Sequence, residues 1–298
     1  EKRRMSEKNE VFESIMREGE MRMNLISQTI PLQYDTVFSP FKASEFSYAL
    51  EYLEKKGFTG VELAVAYPEL VSTIDLIKEL EKYNLVVTTL STGQIYGLKG
   101  FFLSSQNEDI RRQAIKTVKE HIELSVKLNY PPVTIGLIRG KLEKGDPLIL
   151  LNNLKASLIE CVEYAYKRNV VLQLEPICKL ETVLINSTYD ALDLLNSLGN
   201  PENLGILYDT YHSYIEDGDM ISAINAAAGK ITNVHFSDSH RGLPGYGTID
   251  FQSIYKALMN TGYKGAIVLE ALCIPTVEFV KENFAASIHK IISRDMSA

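Results

Sequence analysis

The sequence predicts an α/β fold, a single (β/α)8 barrel. Short β-rich runs alternate with longer stretches of helical period from Met21 onward, and the runs number eight. A chain of 298 residues with 45% hydrophobic content can fill such a core as one domain. An open doubly wound sheet is the alternative that this pattern alone leaves standing.

The first twenty residues, EKRRMSEKNEVFESIMREGE, are charged and lack the apolar stretch of a secretory signal. Val11, Phe12, Ile15 and Met16 could form one face of a short helix, so residues 1–20 read as an N-terminal extension and 21–298 as the barrel. The run MRMNLI (21–26) opens the sheet. The next strands are GVELAV (60–65), LVVTTLS (85–91), PVTIGLI (132–138), VVLQLE (170–175), LGILYD (204–209), ITNVHF (231–236) and GAIVLE (265–270). Between them apolar residues recur at helical spacing, as in Ile115, Val118, Ile122 and Val126, or Leu154, Leu158, Cys161, Val162 and Ala165. Gly57, Gly199 and Gly262 stand where helices should stop, as left-handed caps.

The charged fraction is ordinary and no run of 18 apolar residues occurs, which argues against disorder and a membrane span and for a soluble protein. Net charge is -7 with basic residues scattered, so no nucleic-acid or anionic-membrane partner is expected. Cys161, Cys178 and Cys273 are odd in number and far apart, which disfavours a disulfide framework or a cysteine zinc site and fits a cytoplasmic location.

Four strong metal-ligand types stand at the C-terminal ends of four successive strands. Glu175, Asp209 and Glu270 each end a strand, and His235 is next to last in its own. In a parallel barrel those ends surround one mouth, so the four side chains should converge. Any one of them alone reads as a polar strand end bonded to loop amides; an apolar strand has little reason to end in a carboxylate, and three carboxylates together call for a cation. Three oxygen ligands with one imidazole suit a single divalent ion, Mn2+ first, with Co2+, Mg2+ or Zn2+ as alternatives.

Further polar groups should reach the same mouth: His212 one turn past Asp209, Arg241 six residues past His235, and Glu181 six past Glu175. His240 reads as a solvated loop histidine. Arg139 lies just past the fourth strand. If it points inward, its planar fork suits a carboxylate on a bound molecule; if not, it is a surface residue paired with an acid.

The stretches LEPICKLETVLINS, LGILYDTYHSYIED, VHFSDSHRGLPGYGTIDF and IVLEAL resemble the xylose-isomerase-like TIM-barrel superfamily, in its ketose 3-epimerase branch with D-tagatose and D-psicose 3-epimerases. GFTGVELAVAYPELV, STGQIYG and IGLIRG resemble a subgroup that includes 5-keto-L-gluconate epimerase. The resemblance implies metal ligation by Glu175, Asp209, His235 and Glu270, acid/base roles for Glu175 and Glu270, and substrate contacts from Glu181, His212 and Arg241; Gln94 and, from its position, Arg139 are further candidate substrate contacts. Cys178 and Lys179 stand where the branch carries Asn and Arg, which puts the substrate in question.

The implied reaction moves a proton off one face of the carbon beside a carbonyl and returns one to the other, through a cis-enediolate. A ketose or keto-sugar acid is the implied partner, and the branch admits a homo-oligomer. Aldose–ketose isomerisation shares the enediolate. An inosose-type dehydratase and a non-catalytic sugar-binding barrel are the remaining alternatives; the apurinic-site endonucleases of the superfamily need further ligands and a basic groove that the sequence lacks.

Overall fold

A computed structural model describes residues 25–141 and 146–293. Eight parallel strands close into a barrel in sequence order: β1 (Ile26–Pro31), β2 (Gly60–Ala64), β3 (Val86–Ser91), β4 (Val133–Ile135), β5 (Leu172–Leu174), β6 (Leu204–Asp209), β7 (Ile231–Phe236) and β8 (Ile267–Leu269). The seam pairs β1 with β8, Ile26 opposite Ile267. Closure settles the choice between barrel and open sheet.

Several of the intervening helices begin where short polar side chains satisfy free backbone N–H groups. Asn107 caps α4 (Glu108–Lys127) and Asp146, followed by Pro147, caps α5 (Pro147–Tyr166). Ser187 and Asp190 form a reciprocal box at α6 (Thr188–Ser197). In chain order, α1 (Phe46–Lys55), α2 (Thr73–Lys82) and α3 (Gln94–Lys99) come before these helices. Helices α7 (Thr210–Glu216), α8 (Met220–Ala226), α9 (Phe251–Asn260) and α10 (Val277–Ser293) follow them. Gly57, Gly199 and Gly262 take the left-handed backbone expected of caps, with φ of 79°, 81° and 76°. The core lies between helices and sheet: Leu50, Leu53, Val118, Ile122, Leu154, Leu158, Phe236 and Phe284 are buried there. Among the described residues no helix is long and apolar enough to cross a membrane.

The first strand differs from expectation. Residues 21–24 of the expected run, like the extension 1–20, lie outside the described residues, and β1 runs on to Pro31 through Ser27, Gln28 and Thr29. These polar residues are buried and bonded: Ser27 to Thr88, Gln28 to the carbonyl of Phe38, and Thr29 to Glu62. An apolar pattern cannot find a strand whose side chains enter a polar barrel interior. The same interior holds Gln173, whose amide spans Thr89, Thr134 and Thr232. β4 is also shorter than expected, because Leu137–Arg139 turns into a 3-10 helix.

Candidate active site

The strand ends bring the four expected ligands together. β6 ends in Asp209, which sits opposite His235 of β7, while Glu175 and Glu270 follow directly after β5 and β8. His235 Nδ1 lies 3.2 Å from Glu270 Oε2 and 3.8 Å from both Glu175 Oε1 and Asp209 Oδ2. One donor atom from each of the four falls within 4.8 Å of the others. Asp209 Oδ1 caps α7 through the amide of His212, at 2.9 Å, and leaves Oδ2 buried without a donor.

The electrostatics of this ring fit a divalent cation. Burial, then the Glu270 charge, pushes Glu175 up to about 8, and burial pushes Asp209 up to about 6 against the pull of His235. Burial would lower His235, yet the charges of Glu62 and Glu270 hold it well above the usual imidazole range. Burial would raise Glu270, yet His235 draws it below the usual carboxylate value. An orphaned buried carboxylate oxygen among three acids and one imidazole is the donor set of a metal site, and the four groups could hold one ion.

A cavity of about 190 Å3 opens over the ring, lined among others by Glu175, Glu270, Glu181, His212, Arg241 and Gln94. His212 is buried. Its Nδ1 accepts from the amide of Cys178 at 3.3 Å, so the proton of the neutral ring sits on Nε2, 4.0 Å from Glu175 Oε1. Burial, then the Arg241 charge, keeps its pKa well below the ordinary value. Arg241 pairs with Glu181 and lies over the rings of Phe38 and Tyr211, 4.5 and 5.1 Å from their centroids. Gln94 donates Nε2 to the carbonyl of Tyr34 at 2.6 Å, which leaves Oε1 without a donor.

Arg139 is not brought to the cavity. It is fully buried behind the wall, where Nε donates to Gly136 and Nη1 to the carbonyls of Leu184 and Ile185, at 3.3, 3.4 and 3.1 Å. Neither expectation holds: it is not a surface residue, and its fork is turned to the loop after β5 instead of to a substrate carboxylate. Its charge acts on Glu175 and Glu181 from behind. Cys178 is likewise buried, and Lys179 points outward to pair with Glu216 at 3.0 Å, so neither lines the cavity. Cys178, Glu181 and His212 also lie within ligand distance of one another, but Glu181 is already committed to Arg241. His240 is exposed, as expected.

Sequence reasoning missed three residues that build the site. Glu62, in mid-β2, accepts from His235 Nε2 at 2.9 Å. Asp238 is fully buried and accepts from the amides of Ser239, Gly245, Gly247 and Ile249, which holds the loop that presents Arg241. The glycines of that loop and the single Asp ahead of them were the available signal. Gly136 leaves room for Glu175, since a Cβ there would meet Oε2 at 2.7 Å.

Comparison with known proteins agrees with this architecture. The family model described as Xylose isomerase-like TIM barrel matches residues 50–287. An L-ribulose 3-epimerase of Mesorhizobium japonicum is 30% identical over 250 residues, 81% of this chain and 80% of its own. A ketose 3-epimerase of Arthrobacter globiformis is 40% identical over 121 residues, where the match spans 41% of this chain and 42% of that relative. A solved structure of L-ribulose 3-epimerase superposes with a TM-score of 0.77 at 24% identity, covering 93% of this chain and 99% of that one. The chain therefore belongs to the xylose isomerase-like TIM barrel family and is an enzyme of its sugar epimerase and isomerase class.

Proposed function

We propose that this protein epimerises a neutral ketose at the carbon next to the carbonyl, with one divalent cation, Mn2+ before Co2+, Mg2+ or Zn2+, held by Glu175, Asp209, His235 and Glu270. The observation that carries this reading is that Glu175 and Glu270, from two well separated strands, both line one cavity at the ligand ring. Two carboxylates on different sides of a bound sugar can take a proton from one face and return one to the other. When bound, the cation would supply Lewis-acid stabilisation of the negative charge that develops on the substrate oxygens. His212, neutral and with its proton on Nε2 beside Glu175, donates to the developing oxyanion without bringing a full charge of its own. Asp209 and His235 hold position.

The lining of the cavity supports a neutral substrate. Thr29, Thr36, Ser91 and Gln94 offer hydroxyl and amide groups, and Arg241 is already neutralised by Glu181. With Arg139 turned to loop carbonyls, a keto-acid carboxylate finds no free cation among the described lining residues. The resemblance to ketose 3-epimerases supports attack at C3.

A panel of pentuloses, hexuloses and keto-aldonic acids, assayed with and without Mn2+ after exhaustive chelation, tests the proposal. Turnover of a neutral ketose to its epimer, lost on chelation and restored by Mn2+, is the expected result. Full activity in protein shown by elemental analysis to be free of metal would rule the scheme out, and preferential turnover of the acids would rule out the neutral substrate.

A further inference from the structure

We infer that Glu62, outside the four-ligand set, is the positioning residue that decides which ring nitrogen His235 turns to the cation; this role rests on the metal reading above. Glu62 sits in the middle of an otherwise apolar strand, GVELA, and is fully buried. A carboxylate there is tolerated where donors meet it. Two do: Thr29 Oγ1 donates to Oε1 at 3.0 Å, and His235 Nε2 lies 2.9 Å from Oε2.

The backbone is arranged for this contact. The pairing of β2 with β3 shifts register between Val61 and Glu62, an irregularity of the kind that re-aims a side chain beside an active site. The bond joins β2 to β7 across the barrel end, between residues that no sheet pairing brings together.

The consequence for His235 follows from proton counting. A neutral imidazole carries one proton, and a carboxylate partner only accepts, so the bond to Glu62 places that proton on Nε2. The lone pair is then on Nδ1, the atom that faces Glu175, Asp209 and Glu270. A carboxylate that orients a ligating histidine in this way raises its basicity and holds its ring plane. Thr29 fixes the far end of Glu62 and also lines the cavity, so a chain of two hydrogen bonds runs from the cavity wall to the ligand.

Two measurements on the full-length protein test the role. In histidine-labelled protein loaded with diamagnetic Zn2+, nitrogen–proton correlation spectra should show His235 protonated at Nε2 and not at Nδ1; the opposite tautomer would overturn the inference. Mn2+ titrations by calorimetry should give a Kd weaker by about 10-fold for Glu62→Gln and about 100-fold for Glu62→Ala, with Thr29→Val falling between wild type and Glu62→Gln. Wild-type affinity in a folded Glu62→Gln protein would overturn it as well. Should Glu62→Ala not fold, the wild-type spectrum and Thr29→Val decide. Wild-type protein that takes up no Mn2+ would remove the metal reading and this role together, whereas tight binding indifferent to Glu62 and Thr29 would remove only this role.

Discussion

Arg139 shows how much turns on the direction of a single buried side chain. Its guanidinium is held by the carbonyls of Gly136, Leu184 and Ile185, so its loss would leave buried acceptors unpaired and the charge of Glu175 less compensated. Arg139→Ala should lower stability by about 2–4 kcal/mol, measured by chemical denaturation, and should reduce kcat/KM for acidic and neutral sugars alike. A loss confined to keto-acids would return it to the substrate. The position of Arg139 was legible in the sequence, its direction was not, because a residue after a strand can turn to the cavity or to the next loop. The convergence of Glu175, Asp209, His235 and Glu270 was legible because four apolar strands that each carry a metal-binding type of group at the same end must gather those groups at one mouth. Glu62 was not, since its partner lies 173 residues away and an acid in mid-strand carries no signal of what it meets.

At the level of elements, the loop after β7 is the clearest case of local chemistry serving the site. Asp238 gathers four backbone amides, and Gly247 packs so closely on it that an added Cβ would lie 2.3 Å from Oδ1. Arg241, in the left-handed region at φ 63°, is presented from this frame to Glu181, Phe38 and Tyr211. Asp238→Asn replaces a charged acceptor by an amide that must turn one N–H toward other donors, at about 2–3 kcal/mol. Steady-state kinetics should show KM rising about tenfold while kcat changes less, as expected when the substrate is held loosely; a fall in kcat alone would contradict this view of the loop. β6 and β7 match their expected limits because both are apolar runs ending at the site. β1 was displaced because its polar residues are satisfied by β2, β3 and the loop at Phe38, which no periodicity reports.

For the molecule as a whole, the cost of gathering these acids in one buried ring should appear as pH-dependent stability. In metal-free protein Glu175 is raised to about 8 and Asp209 to about 6 from 4.5 and 3.8, and His235 is raised well above 6.5. Stability conferred by these raised groups is fully present below the unfolded values and lost as pH rises through the folded ones, whereas His212 and His121, held below 6.5 by burial, act in the opposite sense below that value, so the folded chain binds more protons than the unfolded one chiefly between about pH 6.5 and 8. Glu270, lowered, acts in the opposite sense and only below about 4.5. The Tm of metal-free protein should fall from pH 6.5 to 8, while the increase in Tm on adding Mn2+ grows over the same range, because the ligands must lose protons to bind. At 100 times Kd the ion contributes about 2.7 kcal/mol. A metal-free Tm that rises through this window would contradict the charge arrangement. Eight alternating units pointed to a closed barrel but left an open sheet as the alternative until the pairing of β1 with β8 was seen; the identity of the ion was not legible, because Mn2+, Co2+, Mg2+ and Zn2+ accept the same donors.

The claim that joins these scales is that Glu175 and Glu270 exchange the C3 proton of a neutral ketose with water from opposite faces. Its most direct measurement is Mn2+-loaded turnover of such a ketose in D2O, with deuterium at C3 read by NMR in wild type, Glu175→Gln and Glu270→Gln. The wild-type epimer should carry one deuterium at C3, and each folded variant should turn over at a rate at least about 100-fold lower. An epimer formed without solvent deuterium, or a variant as active as wild type, would contradict the claim.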